Sequence, residues 1–272
     1  MIAARIGLIG AGRMATALAS GFVRAKLLAP ESISASDPSA DSRASFLRGV
    51  PGATVLEQNG PVVAESDVVI LAVKPQQMAA VLPELRNEVR PKSLVVSIAA
   101  GIMLKRLESG LPPGQRVVRV MPNTPCLIGA GASAYSLGRH ATAADGQLVA
   151  ELLSAVGTAA EVPEATLDAV TGLSGSGPAF VYSMIEAMAR GGADAGLPAE
   201  LAGELAARTV AGAAQMVLQT GESPAVLRER VTSPGGTTLA GLAVLQERGF
   251  ESAVADAVAA ATRRSAELGR ST

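Results

Sequence analysis

The sequence is nearly devoid of aromatic rings: it has no tryptophan, two tyrosines and four phenylalanines in 272 residues. Proteins that bind single-stranded nucleic acid stack bases on such rings, so their scarcity argues against that class of partner. Charge points the same way. The formal net charge is −1 and the pI is near 6.0, which presents no basic face to a phosphate backbone or an anionic membrane. The single cysteine, Cys126, cannot form an internal disulfide, and the chain reads as cytoplasmic. Apolar runs stop short of the ~20 residues that a membrane-spanning helix requires. The stretch 1–26 is apolar enough to imitate a signal peptide, but Arg5 and Arg13 interrupt it, so it reads as part of the fold. Proton-transfer groups are scarce as well. Lysine occurs only at 26, 74, 92 and 105, and the sole histidine is His140.

What is present is 49% hydrophobic and 17% charged, a globular composition long enough for one large domain or two ordinary ones. The first half alternates strand and helix signals. Strands are expected at 4–9, 32–36, 53–56, 67–73, 93–98 and 116–121, with helical stretches between them. The run 67–73 is unbroken and apolar, as parallel strands buried on both faces are. The expected fold is α/β: a doubly wound, mostly parallel Rossmann-type sheet over residues 1–163, followed by an all-α domain over 164–272. Helices in that second half are expected at 178–191, 199–219, 224–230, 239–248 and 252–268. Small residues such as Ala206, Ala207, Ala211, Ala213 and Ala214 permit close helix–helix approach. So short and apolar a helical domain completes its core by oligomerising.

The first loop carries chemistry. Gly10 allows a tight turn after the first strand, Gly12 lets backbone approach a pyrophosphate, and Ala15 is small enough for helix–strand packing. Amides at the helix start then bind phosphate. Asp37 stands at the tip of the second strand, where a carboxylate accepts from the ribose hydroxyls of NADH and repels the extra phosphate of NADPH; as a plain residue it would form the turn before Pro38. Arg43 is close enough in sequence to offset that repulsion, so the lean toward NADH is weak.

The helical half has neither Lys nor His to serve as general acid or base, and Tyr135 and Tyr182 lack a lysine four residues on. Alcohol and ketone substrates are therefore disfavoured. A protonated imine is already electrophilic and needs mainly orientation. Two motifs stand out. Residues 174–178, Ser-Gly-Ser-Gly-Pro, precede a helix and serve either as a turn or as a site. Residues 232–238, Thr-Ser-Pro-Gly-Gly-Thr-Thr, place adjacent glycines before a helix start, which suits an anion such as a substrate carboxylate.

These strings, together with 72–75, 96–101, 121–125 and 170–179, resemble the pyrroline-5-carboxylate reductase family in order and spacing over almost the whole chain. The resemblance implies NAD(P)H-dependent reduction of L-1-pyrroline-5-carboxylate to L-proline, the last step of proline biosynthesis. It implies that Ile9, Gly10, Ala11, Gly12, Arg13 and Met14 hold the pyrophosphate, and that Asp37 and Asn59 lie near the adenosine ribose. Ala72, Val73, Lys74 and Pro75, with Ile98, Ala99 and Ala100, would line the nicotinamide side. Ser233, Gly235, Gly236, Thr237 and Thr238 would bind substrate, with Thr238 hydrogen-bonding the ring nitrogen as the catalytic group. Glu222 joins them by resemblance, or is simply an exposed turn residue. Lys74 is a proton donor or, as favoured here, shapes the turn and presents its backbone. Family members build the site in an intertwined dimer, often assembled into decamers, and no metal is implied. Asp37 departs from the Ser, Thr or Asn of NADPH-preferring members. The rival readings are a reductase of another cyclic imine, a β-hydroxyacid dehydrogenase, which the missing lysine disfavours, and a non-catalytic NAD(P)H-binding sensor.

Overall fold

A computed structural model describes residues 2–271. Strands β1 (Ile6–Ile9), β2 (Ile33–Ser36), β3 (Thr54–Leu56), β4 (Val68–Leu71), β5 (Leu94–Ser97), β6 (Arg116–Met121), β7 (Gly131–Leu137) and β8 (Gly157–Glu161) form one sheet among these residues. Its order is β3-β2-β1-β4-β5-β6-β7-β8. The first six strands pair in parallel; β7 runs antiparallel to β6, and β8 runs parallel to β7. Chain order reverses between β1 and β4, and the crevice outside the carboxyl ends of such a pair is where an open α/β sheet binds its ligand.

Helices cover both faces, as parallel strands require. Side chains alternate along β4: Val68 and Ile70 join a core with α1 (Arg13–Arg24), α2 (Ala40–Gly49) and α6 (Ala143–Ser154). Val69 and Leu71 face a second core with α3 (Asn59–Glu65), α4 (Met78–Arg86) and α5 (Leu104–Gly110). Parallel sheet and flanking helices agree with the sequence reading. Strands β7 and β8 were not anticipated. Their sequences, Gly-Ala-Ser-Ala-Tyr-Ser-Leu and Gly-Thr-Ala-Ala-Glu, are built of small residues with low strand preference. They pair because β6 offers β7 an open edge.

Contacts divide the chain into two compact units, residues 1–176 with 259–272, and residues 177–258. The short α7 (Leu167–Val170) passes into a π-helical turn over Thr171–Gly175 within the first unit. In the second unit, α8 (Gly177–Asp194) and α9 (Ala199–Thr220) pack as a hairpin, interrupted at 195–198, where Gly196-Leu197-Pro198 breaks the helix. Then come α10 (Pro224–Arg230), α11 (Thr237–Glu247) and α12 (Phe250–Ser271), which the division cuts at 258/259. Helix α11 starts two residues earlier than the apolar pattern suggested, which places Thr237 and Thr238 in its first turn. Only Ala202 and Ala206 of α9 are buried, and α8, α10 and α11 bury no residue. Leu218, Val231 and Tyr182 are 83%, 67% and 57% exposed, so these helices are apolar without a core of their own. No helix among the described residues is long and apolar enough to cross a membrane.

Candidate active site

At the switch point β1 ends on Ile9 and the chain turns on Gly10, whose φ is +95°. A β-carbon at Gly10 would stand 2.9 Å from the Ala72 carbonyl oxygen, so both the backbone region and the space exclude any other residue. Gly12 is the N-cap of α1 and has nothing within 4 Å of where its β-carbon would be. The helix carries no acidic residue in its first turn and no side-chain cap. Its first intrahelical donor is Thr16 N–H, bonded to the Gly12 carbonyl at 3.0 Å. The N–H groups of Arg13, Met14 and Ala15 thus start the helix without helical partners, which suits an anionic pyrophosphate. Ala15 is buried against the sheet.

The ribose end is more tightly built than the sequence suggested. Asp37 Oδ2 accepts from Ala11 N–H at 3.0 Å and Oδ1 from Ser39 N–H at 2.9 Å, so the carboxylate joins the glycine loop to the β2–α2 turn. Arg43 makes no ion pair with that carboxylate among the described residues; its Nη1 donates to the carbonyls of Asp37 and Pro38 at 2.8 and 2.9 Å, and its Nη2 lies 3.9 Å from Glu57 Oε2. Asn59 accepts from Ser36 Oγ at 2.8 Å and donates to Glu84 Oε2 at 2.7 Å. Gly10, Gly12, Asp37, Asn59, Val73 and Lys74 line one cleft of about 1010 Å³.

The loops after β4 and β5 leave the same sheet edge. Ala72 N–H donates to the Ile9 carbonyl at 2.8 Å, and Ile98 N–H to the Leu71 carbonyl at 3.1 Å. Pro75 opens a single 3-10 turn, and Lys74 N–H donates to Gln77 Oε1 at 3.2 Å. The Lys74 side chain is exposed and makes no ion pair among the described residues, while its backbone carries the turn, with Gln77 N–H donating to the Lys74 carbonyl at 2.9 Å. Ala99 is buried and Ala100 half-buried.

In the second unit the 233–238 loop closes through Gly236 N–H to the Ser233 carbonyl at 2.9 Å. Gly235 has φ +70°, and a β-carbon at Gly236 would meet Ser233 Oγ at 2.5 Å. Gly236 is the N-cap of α11 and brings no side-chain cap. The first-turn amides, Thr237 and Thr238 among them, therefore lack a capping acceptor, and the Thr238 hydroxyl has no partner among the described residues. Glu222 is differently placed. Arg230 grips its two carboxylate oxygens at 2.6 Å each, so it buttresses the ends of α10 rather than standing free.

Comparison with known proteins adds to this geometry. Residues 164–268 match a family model described as pyrroline-5-carboxylate reductase dimerisation. Residues 5–101 match one described as NADP oxidoreductase, coenzyme F420-dependent. Pyrroline-5-carboxylate reductase of Methanosarcina acetivorans is 48% identical over 266 residues, 98% of each chain. That of Arabidopsis thaliana is 47% identical over 98% of this chain and 96% of its own. The chain belongs to the pyrroline-5-carboxylate reductase family. Two solved structures agree in fold. The Plasmodium falciparum pyrroline carboxylate reductase with NADP bound has a TM-score of 0.90 at 30% identity, covering 99% of each chain. The Coxiella burnetii pyrroline-5-carboxylate reductase has a TM-score of 0.90 at 34% identity, covering 98% of this chain and 99% of its own.

Several side chains that organise this family member were not singled out from sequence. Arg119, 5% exposed on β6, pairs with Glu164 at 3.1 Å and Asp168 at 3.6 Å. Asp168 also accepts from Ser265 Oγ at 2.7 Å, and Glu164 from Leu104 N–H at 2.6 Å. Asn123 is buried just beyond β6. The available signal was a charged or amide residue inside or just after an apolar strand, but each partner lies far along the chain. Among the described residues Tyr135 has a clear pKa displacement: burial first, then the neighbouring Glu161 charge and hydrogen bond, push it above 10.0. It stays protonated at neutral pH and is no proton shuttle.

Proposed function

We propose that this chain reduces L-1-pyrroline-5-carboxylate to L-proline with NAD(P)H, and that the observation carrying this reading is the uncapped start of α11 beside an unbonded Thr238 hydroxyl. Amides of the loop formed by Ser233, Gly235, Gly236, Thr237 and Thr238 hold the substrate carboxylate, helped by the helix dipole. The Thr238 hydroxyl hydrogen-bonds the ring nitrogen and orients the imine carbon. The nicotinamide, when bound, supplies the hydride. Gly10, Ala11, Gly12, Arg13 and Met14 cradle its pyrophosphate; the open space at Gly12 and the unpartnered amides of α1 fit that group. The imine arrives electrophilic, so no Lys or His is required in the helical half, and orientation supplies most of the acceleration.

Asp37 favours NADH, because a carboxylate held by two backbone amides cannot turn away from a 2′-phosphate. Steady-state turnover of pyrroline-5-carboxylate with NADH and NADPH tests both parts. Imine-dependent oxidation with a higher kcat/KM for NADH is expected. A higher value for NADPH overturns the Asp37 reading alone. Cofactor binding without turnover would make the chain a sensor, and preference for a six-membered imine would make it a related reductase. Thr238→Ala should lower kcat/KM by roughly 10-fold or more, as loss of an orienting hydrogen bond does; wild-type kcat/KM in that variant removes Thr238 from the mechanism. The chain works as a homo-oligomer, a dimer at least, with a decamer as the larger assembly; its mass by light scattering decides between them.

A further inference from the structure

Pro178 has no N–H, so it cannot make the bond that a helix would aim at the Ser174 carbonyl four residues earlier. Asn123 supplies it instead, Nδ2 donating to that carbonyl at 3.1 Å. At its other end Asn123 Oδ1 accepts from Ala132 N–H at 2.9 Å, where β7 begins. Both bonds assign the amide one orientation, and at 7% exposure little water competes for them. The segment so held is unusual. Ser176 N–H bonds the Thr171 carbonyl at 2.8 Å, closing a single π-helical turn, a rare feature that is frequent at functional sites. The Met121 methyl packs into the space that a β-carbon at Gly175 would occupy, 2.6 Å away. The hydroxyls of Thr171 and Ser174 are tied to the carbonyls of Leu167 and Val170.

The location matters. Strands β4, β5 and β6 are parallel neighbours, so the loops that follow them emerge at one sheet edge. The first two of these loops are the ones assigned above to the nicotinamide side, and the third is Pro122-Asn123. We propose that Asn123 is a positioning residue for hydride transfer, holding the 174–176 turn against the carboxyl end of β6 as a wall of the reaction site. This rests on the imine-reductase reading.

Asn123→Asp isolates the relevant bond, because a carboxylate still accepts from Ala132 N–H but cannot donate to Ser174. Relative to wild type, kcat for pyrroline-5-carboxylate should fall roughly 10- to 100-fold, the cost of a small misplacement of reacting groups. Dinucleotide Kd should not change, and the primary deuterium isotope effect on kcat, measured with C4-deuterated cofactor, should rise. Pro178→Ala restores a main-chain donor for Ser174, so the loss caused by Asn123→Asp should shrink in that background. If Asn123→Asp does not fold, Asn123→Ser is measured in the same way. Unchanged kcat per dinucleotide-binding site in the folded variant overturns the proposal, as does a loss that Pro178→Ala leaves untouched. A wild-type chain inactive on this imine refutes the proposed function and this inference with it; an active wild type beside an unimpaired variant refutes the inference alone.

Discussion

Gly10 shows how much one residue type decides. Its φ of +95° and the 2.9 Å separation from the Ala72 carbonyl leave no place for a methyl group. Gly10→Ala should cost about 1–3 kcal/mol in stability, the range for a non-glycine residue forced into a sparsely populated backbone region. It should also weaken dinucleotide binding, since the loop must shift; urea denaturation and fluorescence titration measure the two effects. Tyr135 gives a pH signature. Its folded pKa is raised, so above about pH 10 the unfolded chain releases the phenol proton while the folded chain retains it. The folded state then binds more protons, and stability falls as pH rises. That contribution is complete below pH 10.0 and fades through the higher folded value. Tyr135→Phe should flatten the decline in Tm between pH 9 and 11 that wild type shows, with pH-dependent calorimetry as the check.

Among elements, the buried Arg119 cluster joins pieces that are distant in sequence: β6 through Arg119, the start of α5 through Leu104, α7 through Asp168, and the end of α12 through Ser265. Removing one partner of such a cluster leaves buried charge uncompensated. Arg119→Ala should destabilise the chain by about 3 kcal/mol, the lower end of the range for buried pairs, because the Glu164 and Asp168 side chains are 26% and 30% exposed. A shifted urea midpoint with an unchanged m-value would show it; a shift near zero would mean that water already screens the cluster. β7 teaches a related lesson. Its residues are small and carry no hydrophobic alternation strong enough to read, yet they are mostly buried because β6 supplies hydrogen bonds along an open edge. Local preference was silent, and pairing decided.

For the whole molecule, the main fact is the contrast between the two units. The first has two cores, one on each sheet face. The second exposes Tyr182, Leu218, Val231 and Val244 and buries almost nothing of its own. Apolar helices in that condition gain stability from a second copy, in keeping with the family's dimerisation region at 164–268. Thermal stability should therefore rise with protein concentration. Calorimetry across a hundredfold dilution series checks this, and a Tm independent of concentration would point to a stable monomer.

The sequence alone was enough for the parallel sheet, the glycine loop and the helical second half. These follow from short-range rules: strand and helix periodicity, the steric freedom of glycine, and the stop signals of proline. The family resemblance was likewise legible, because it resides in contiguous strings such as 232–238 and 170–179. Only tertiary structure decided that Asp37 is held by the amides of Ala11 and Ser39. The same holds for Glu222, which Arg230 occupies, and for Asn123, which replaces the hydrogen bond lost at Pro178. The reason is physical. Periodicity and turn chemistry are set by neighbours a few residues apart, whereas a side-chain hydrogen bond depends on which distant backbone groups folding leaves unpaired beside it.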